Sequence, residues 1–161
     1  MKKLSIGVVT LSAVGFVLSV SGALSAAVNQ TPQQTLKSLV GAWNCTNSGG
    51  GSPSFTERDV DSMYGHWLRI NASYSGYAGI DFLGYNTKRH RWIFLSADEH
   101  GGYGIVYSNS PGLNGSSWHD GYPVHGNSGT FRIVNSKMYR FDGMGPDAHG
   151  KMVASRTVCK R

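Results

Sequence analysis

The sequence predicts an all-β protein: a closed antiparallel up-and-down β-barrel of about ten strands with one short N-terminal helix. Three observations carry this. First, beyond Gly41 the apolar residues recur at every second position, in short runs of Trp, Tyr, Phe, Ile and Val interrupted by Gly, Asn, Ser or Pro. Second, the connections between these runs are too short for crossover helices, so the strands must be antiparallel and mostly sequential neighbours. Third, the chain has only 2 cysteines, Cys45 and Cys159, near the two ends of the β-rich region. A bond between them requires Cα atoms within about 7 Å. The first and last strands would then be adjacent, which selects a barrel over an open sandwich.

The 161 residues suit one domain. Residues 1–27 read as a signal peptide and 28–161 as the barrel domain. Lys2 and Lys3 precede an uncharged, mostly apolar run from Leu4 to Val20, and the small residues Ser21, Gly22, Ala23, Ser25, Ala26 and Ala27 follow. This predicts cleavage near Ala26 or Ala27, with no stable membrane insertion afterwards. The expected compartment is periplasmic or extracellular in a bacterium, where an even cysteine count reads as a disulfide. With Lys2 and Lys3 removed, the 15 Lys and Arg fall to 13 against 9 Asp and Glu, a net charge of +4. These charges form no basic stripe, so nucleic acid is not an expected partner. The densest group, Lys88-Arg89-His90-Arg91, reads as a charged hairpin turn.

Element by element, Thr31–Val40 is the one convincing helix. Thr31 can cap it, Pro32 suits its first turn, and Leu36, Leu39 and Val40 give it an apolar face. Strands are expected near 41–47, 54–62, 66–75, 79–85, 90–97, 102–108, 115–122, 129–135, 138–144 and 151–159, with a loop at Ser48–Ser54. In HWLRINASY, His66, Leu68, Ile70, Ala72 and Tyr74 share a face. In HRWIFLSA, His90, Trp92, Phe94 and Ser96 do. Both faces of these strands are partly apolar, so one lines an interior while aromatics also decorate the exterior. Small residues such as Ala72, Ser96, Gly102 and Gly104 leave room for a cavity.

The helix followed by Gly41-Ala42-Trp43 and a ten-strand meander resembles the calycin, or lipocalin-like, class. The triplet is similar to the G-x-W of lipocalins, whose Trp follows a short helix and plugs the closed end of the barrel. A closer likeness is to a bacterial lipocalin-like family of unknown function, on Leu39-Val40-Gly41-Ala42-Trp43, Gly84-Tyr85-Asn86, Trp92 with Asp98, and Gly101–Gly104. The resemblance implies a small-ligand barrel, with Trp43 structural and an arginine (Arg156, Arg140 or Arg132) near its ring; Cys45 and Cys159 are structural through their expected bond. It brings no catalytic residue. The T-D-Y turn of lipocalins and the histidine heme motif of nitrobindin-like barrels are not recognisable, so no cofactor is expected.

Among polar clusters, Asp98-Glu99-His100 is the sharpest. Two carboxylates and an imidazole could bind a metal or do acid–base work at the barrel mouth. However, adjacent side chains diverge, and Asp-Glu-His before Gly-Gly also suits a hairpin turn. His119, His125 and His149 lack metal-ligand spacing, and no metal site is expected. The aromatic residues carry the remaining signal. Tyr74, Trp92, Phe94, Tyr103, Tyr107 and Trp118 are the expected ligand-binding residues, for a small apolar or aromatic molecule. Two other readings compete with ligand binding: a filled structural or partner-binding barrel, and an enzyme built on Asp98, Glu99 and His100. The oligomeric state is not legible in the sequence.

Overall fold

The computed structural model describes residues 30–49, 56–74, 77–147 and 149–161. The N-terminal segment read as a signal peptide and residues 50–54 of the expected loop lie outside these. The short helix α1 (Pro32–Ser38) is followed by ten strands: β1 (Gly41–Gly49), β2 (Thr56–Met63), β3 (Trp67–Tyr74), β4 (Tyr77–Asn86), β5 (Arg91–Asp98), β6 (Tyr103–Ser108), β7 (Ser116–Tyr122), β8 (Ser128–Asn135), β9 (Met138–Pro146) and β10 (Met152–Lys160). Each strand pairs antiparallel with its sequence neighbours, and β1 also pairs with β10, closing the barrel.

Helix α1 begins with a capping box. The Thr31 hydroxyl accepts from the Gln34 N–H, and the Gln34 side chain accepts from the Thr31 N–H. The helix buries Leu36 and, one residue beyond its end, Leu39 against one end of the barrel. That end also holds the β2–β3, β4–β5, β6–β7 and β8–β9 connections and the residue after β10, Arg161. The opposite end carries the β5–β6, β7–β8 and β9–β10 hairpins.

The alternation of each strand sorts the side chains. Trp43, Cys45, Leu68, Ile70, Leu83, Trp92, Trp118, Tyr139 and Cys159 are buried in one core cluster, with Leu36, Leu39 and Leu113 closing its base. Cys45 lies directly opposite Cys159 in the β1–β10 register, and their sulfurs are bonded inside the barrel. The expected disulfide is therefore present and joins the first strand to the last.

Trp43 sits at the helix end, as expected of a plug. Its indole N–H donates to the Leu39 carbonyl at 2.8 Å, and its ring meets the Tyr139 ring edge-on at 4.7 Å. The arginine above it is a correction to the sequence reading. Arg161 places its guanidinium 4.1 Å from the indole centroid. Arg132, Arg140 and Arg156 lie on the outward parity of β8, β9 and β10. There Arg140 and Arg156 pair with Asp142, whereas Arg161 follows Cys159 on the inward parity. The same guanidinium donates to the Ser38 and Val40 carbonyls at 3.0 and 2.6 Å, satisfying backbone acceptors at the helix exit.

Candidate functional site: the barrel interior

Side-chain size changes along the barrel axis. Near the helix the interior holds Trp43, Trp92, Trp118, Leu39 and Leu113. Toward the other end the inward positions are Ser96, Gly104, Gly129, Gly143, Gly145, Ser155 and Thr157. Strands that begin with large inward residues and end with small ones enclose a hollow rather than a packed core. The result is a cavity of about 600 Å³, within the usual range of about 300–1,000 Å³ for small-molecule sites. Val60, Leu68, Leu83, Leu113 and Trp118 line its deep part. Ile70, Phe94, Val106, Phe131, Tyr139 and Phe141 form the walls, and Ser96, Asp98, Asp120, Asn127, Ser155 and Thr157 supply polar groups toward the mouth.

Not all of this volume is free at every glycine. The Phe141 ring already covers the positions where Gly129 and Gly143 would carry a Cβ. Gly104 differs, because a Cβ there would meet only the Ser96 Oγ, at 3.5 Å. The inner wall of β6 is thus open to a flat molecule.

The sequence-predicted ligand residues divide. Phe94 and Trp118 line the cavity, and the Trp118 indole N–H is held by the Ser116 hydroxyl at 2.6 Å. Tyr103 borders the mouth but lies on the outward parity. Its ring lies 5.9 Å from that of Tyr122, and the hydrogen bond its hydroxyl donates to Tyr122 pushes its ionisation up. Two residues do not line the cavity. Trp92 faces inward as expected but in the row of Tyr85 and Ser108, beneath the cavity and fully buried against the Tyr85 ring. Tyr107 faces outward, with the Arg91 guanidinium 4.0 Å above it, because inward positions on β6 are 104, 106 and 108. The Tyr74 side chain is outside the described residues.

Several wall residues escaped the sequence reading: Phe131, Phe141, Ser155, Thr157 and Asp120. Counting by twos from the paired cysteines, or forward from Trp118, finds the last three. Phe131 and Phe141 follow once β8 and β9 are placed in register.

The Asp98-Glu99-His100 trio shapes a turn. One Asp98 oxygen accepts from the N–H groups of His100 and Gly102 at 2.9 and 2.8 Å, and Glu99 accepts from the Ala78 N–H at 2.9 Å. The His100 ring lies 3.9 Å from the Glu99 carboxylate in an exposed setting. The β9–β10 hairpin repeats the D-x-H-G sequence at Asp147–Gly150 and the same bonds, from the His149 and Lys151 N–H groups to Asp147. Two hairpins built alike, one lacking the glutamate, mark a turn device rather than a catalytic constellation. Asp120 does related work for the β7–β8 loop, accepting from the His125 and Asn127 N–H groups at 2.7 Å each. Burial alone would push its carboxyl up. The N–H groups of His125 and Asn127, helped by the Asn127 side chain and Gly126, outweigh that and hold it below the ordinary range. β7 ends at Tyr122, so His119 and His125 do not share a strand. Among the described residues no group of three or more His, Cys, Asp or Glu is arranged to hold a metal.

No family model matches the chain, and no curated protein is significantly similar to it. Among solved structures, it is similar to a redesigned beta barrel at 17% identity and a TM-score of 0.42, covering 78% of this chain and 93% of that one. It is also similar to the structure of EF1p2_mFAP2b bound to DFHBI, at 10% identity and a TM-score of 0.45, covering 81% and 99%.

Proposed function

We propose that the protein is an exported, lipocalin-like carrier or sensor that takes one small apolar or aromatic molecule into its barrel. The observation that carries this is the cavity itself: about 600 Å³, apolar in depth, with polar groups only toward one end. A filled structural barrel would have large inward residues on both halves of its strands. The Gly41-x-Trp43 plug with an arginine over the indole supports the lipocalin-like reading. The Lys2/Lys3 start, the apolar run after it and the disulfide support export.

Walls of Phe94, Phe131, Phe141 and Trp118 suit a ligand that is itself flat or apolar, since each buried apolar Å² contributes about 25 cal/mol. Hydroxyls of Ser96, Ser155 and Thr157 offer adaptable donors and acceptors for a single polar end. The ligand enters between the hairpins and stops above Leu113 and Trp118.

Native mass spectrometry of the purified protein tests this directly, with a bound small molecule as the expected result. A second test uses the neutral dye Nile red. Gly104→Leu fills the open wall of β6 without occupying a positive-φ position, so it should weaken dye binding by about tenfold or more, the scale of 1.4 kcal/mol, and leave the thermal midpoint nearly unchanged. Dye binding equal in wild type and Gly104→Leu would place the dye elsewhere and reject the cavity as the site. N-terminal sequencing of secreted material should begin near Val28; finding Met1 would reject export by cleavage.

A further inference from the structure

The outside of the barrel is not uniform. On β8, β9, β10 and β1 the outward positions carry Arg132, Arg140, Asp142, Arg156 and Lys160 among Thr, Ser and scattered apolar residues such as Val134, Met144 and Met152. On β4, β5 and β6 they are mostly apolar, and on β3 and β7 Trp67 stands beside Arg69, Asn71, Ser73, Ser117 and His119. Phe82, Leu95 and Ile105 stand side by side in the β4–β5–β6 register, and Ile93 lies one row toward the helix end. Trp67 lies flat on Gly84, and Tyr107 lies flat on Gly121. A membrane-spanning barrel needs an apolar band all the way round, so this one-sided wall suits a contact face instead. Contiguous apolar patches of this kind mark interaction sites.

Charge indicates what covers the wall. β5 runs down its middle, with Arg91 at its start, following Lys88 and Arg89, and Glu99 just past its end. The outward residues between are Ile93, Leu95 and Ala97, and Leu95 is midway between Arg91 and Glu99. A two-fold axis through Leu95 would lay β5 of one copy antiparallel across β5 of another. Each Arg91 would then meet the partner copy's acidic end, twice over by symmetry, with the apolar residues between. A parallel arrangement would stack like charges.

We propose that the outer wall of β4–β6 is the face of an isologous homodimer centred on Leu95. Three strands, each about 4.8 Å wide, and eight residues of about 3.3 Å cover roughly 14 by 26 Å. That is about 370 Å², small beside the roughly 800 Å² per partner of a standard interface. Association should therefore depend on concentration.

Sedimentation velocity of the purified protein with its disulfide intact tests this. Between about 1 and 300 μM the weight-average mass should rise toward twice the monomer, and Leu95→Glu should weaken association at least tenfold. The charge arrangement gives a sharper test. Arg91→Glu and Glu99→Arg should each impair self-association, because each sets like charges at both ends. Mixed together they should form a heterodimer, because both pairs are restored. Circular dichroism verifies that each variant is folded, which the heterodimer itself would also demonstrate. A monomer at every concentration, dimers indifferent to these substitutions, or a mixture no more associated than its parts would overturn the proposal. Wild-type monomer that binds vesicles of anionic lipid through this wall would overturn it too, assigning the wall to a membrane surface.

Discussion

Gly41 and Trp43 both lie beside the Arg161 guanidinium. Gly41 adopts φ 132°, a conformation that side chains strain, and a Cβ there would sit 3.6 Å from the Arg161 guanidinium. Trp43, two residues on, returns to the inward parity and receives the same guanidinium on its ring. Replacing Trp43 with Ala should cost about 3–5 kcal/mol, as for other buried large-to-small changes, measured by urea denaturation with the disulfide intact. Arg161→Ala removes a stacking contact and two hydrogen bonds from an exposed side chain. It should cost about 1–2 kcal/mol, with Arg161→Lys falling between, because an ammonium keeps the charge without the planar fork. Arg161→Ala indistinguishable from wild type would show that the latch contributes nothing. The plug was legible in the sequence through its position after a helix. Its arginine was not, because the choice among Arg132, Arg140, Arg156 and Arg161 depends on register, which one sequence does not carry.

The hairpins at the open end share an aspartate that holds its loop by two backbone N–H groups. Asp120→Ala should leave the His125 and Asn127 N–H groups unpaired and destabilise the protein by about 1–3 kcal/mol. Amide exchange in the β7–β8 loop should rise more than in β3 or β4. Acid should destabilise the fold through the two carboxylates whose pKa is lowered, Asp120 and Asp142. Asp142 is held below the usual carboxylate range by its hydrogen bond from Arg156, against some burial, with the charges of Arg140, Arg156 and Arg132 adding to it. Asp120 is lowered as well. A carboxyl with a lower pKa in the folded state contributes its stability above the unfolded value of about 3.9 and loses it as pH falls through the folded value. Thermal midpoints should therefore drop below about pH 4, and less steeply in Asp142→Asn. The strands themselves were legible element by element, since period two and the turn residues locate all ten. Depth was not: Trp92 and Phe94 share a face on β5, yet one is core and the other cavity wall. Where a row falls along the axis depends on strand stagger, which alternation does not encode. The Asp98-Glu99-His100 trio was ambiguous for a different reason, since turn-forming residues and acid–base residues are the same residue types.

At the scale of the whole molecule the bond between Cys45 and Cys159 joins the two ends of the meander inside the wall they close. Both cysteines are fully buried, so reductant should reach them only through partial or global opening. Labelling rates should then follow denaturant concentration, and a thiol that labels at once in the native protein would contradict the burial. Reduction should lower stability by about 2–5 kcal/mol, the general range for bonds of this kind. The bond also governs how the molecule bears tension. Pulled from Gln30 and Arg161, the oxidised protein can pay out only residues 30–44 and 160–161, which lie outside the bridge, because β1 and β10 are tied at Cys45 and Cys159. The 114 residues of separation between the cysteines are hidden length, about 400 Å at about 3.5 Å per residue. In single-molecule force spectroscopy that length should be released in a reducing buffer and remain locked in an oxidising one, making this barrel an inextensible link in the compartment where its bond survives.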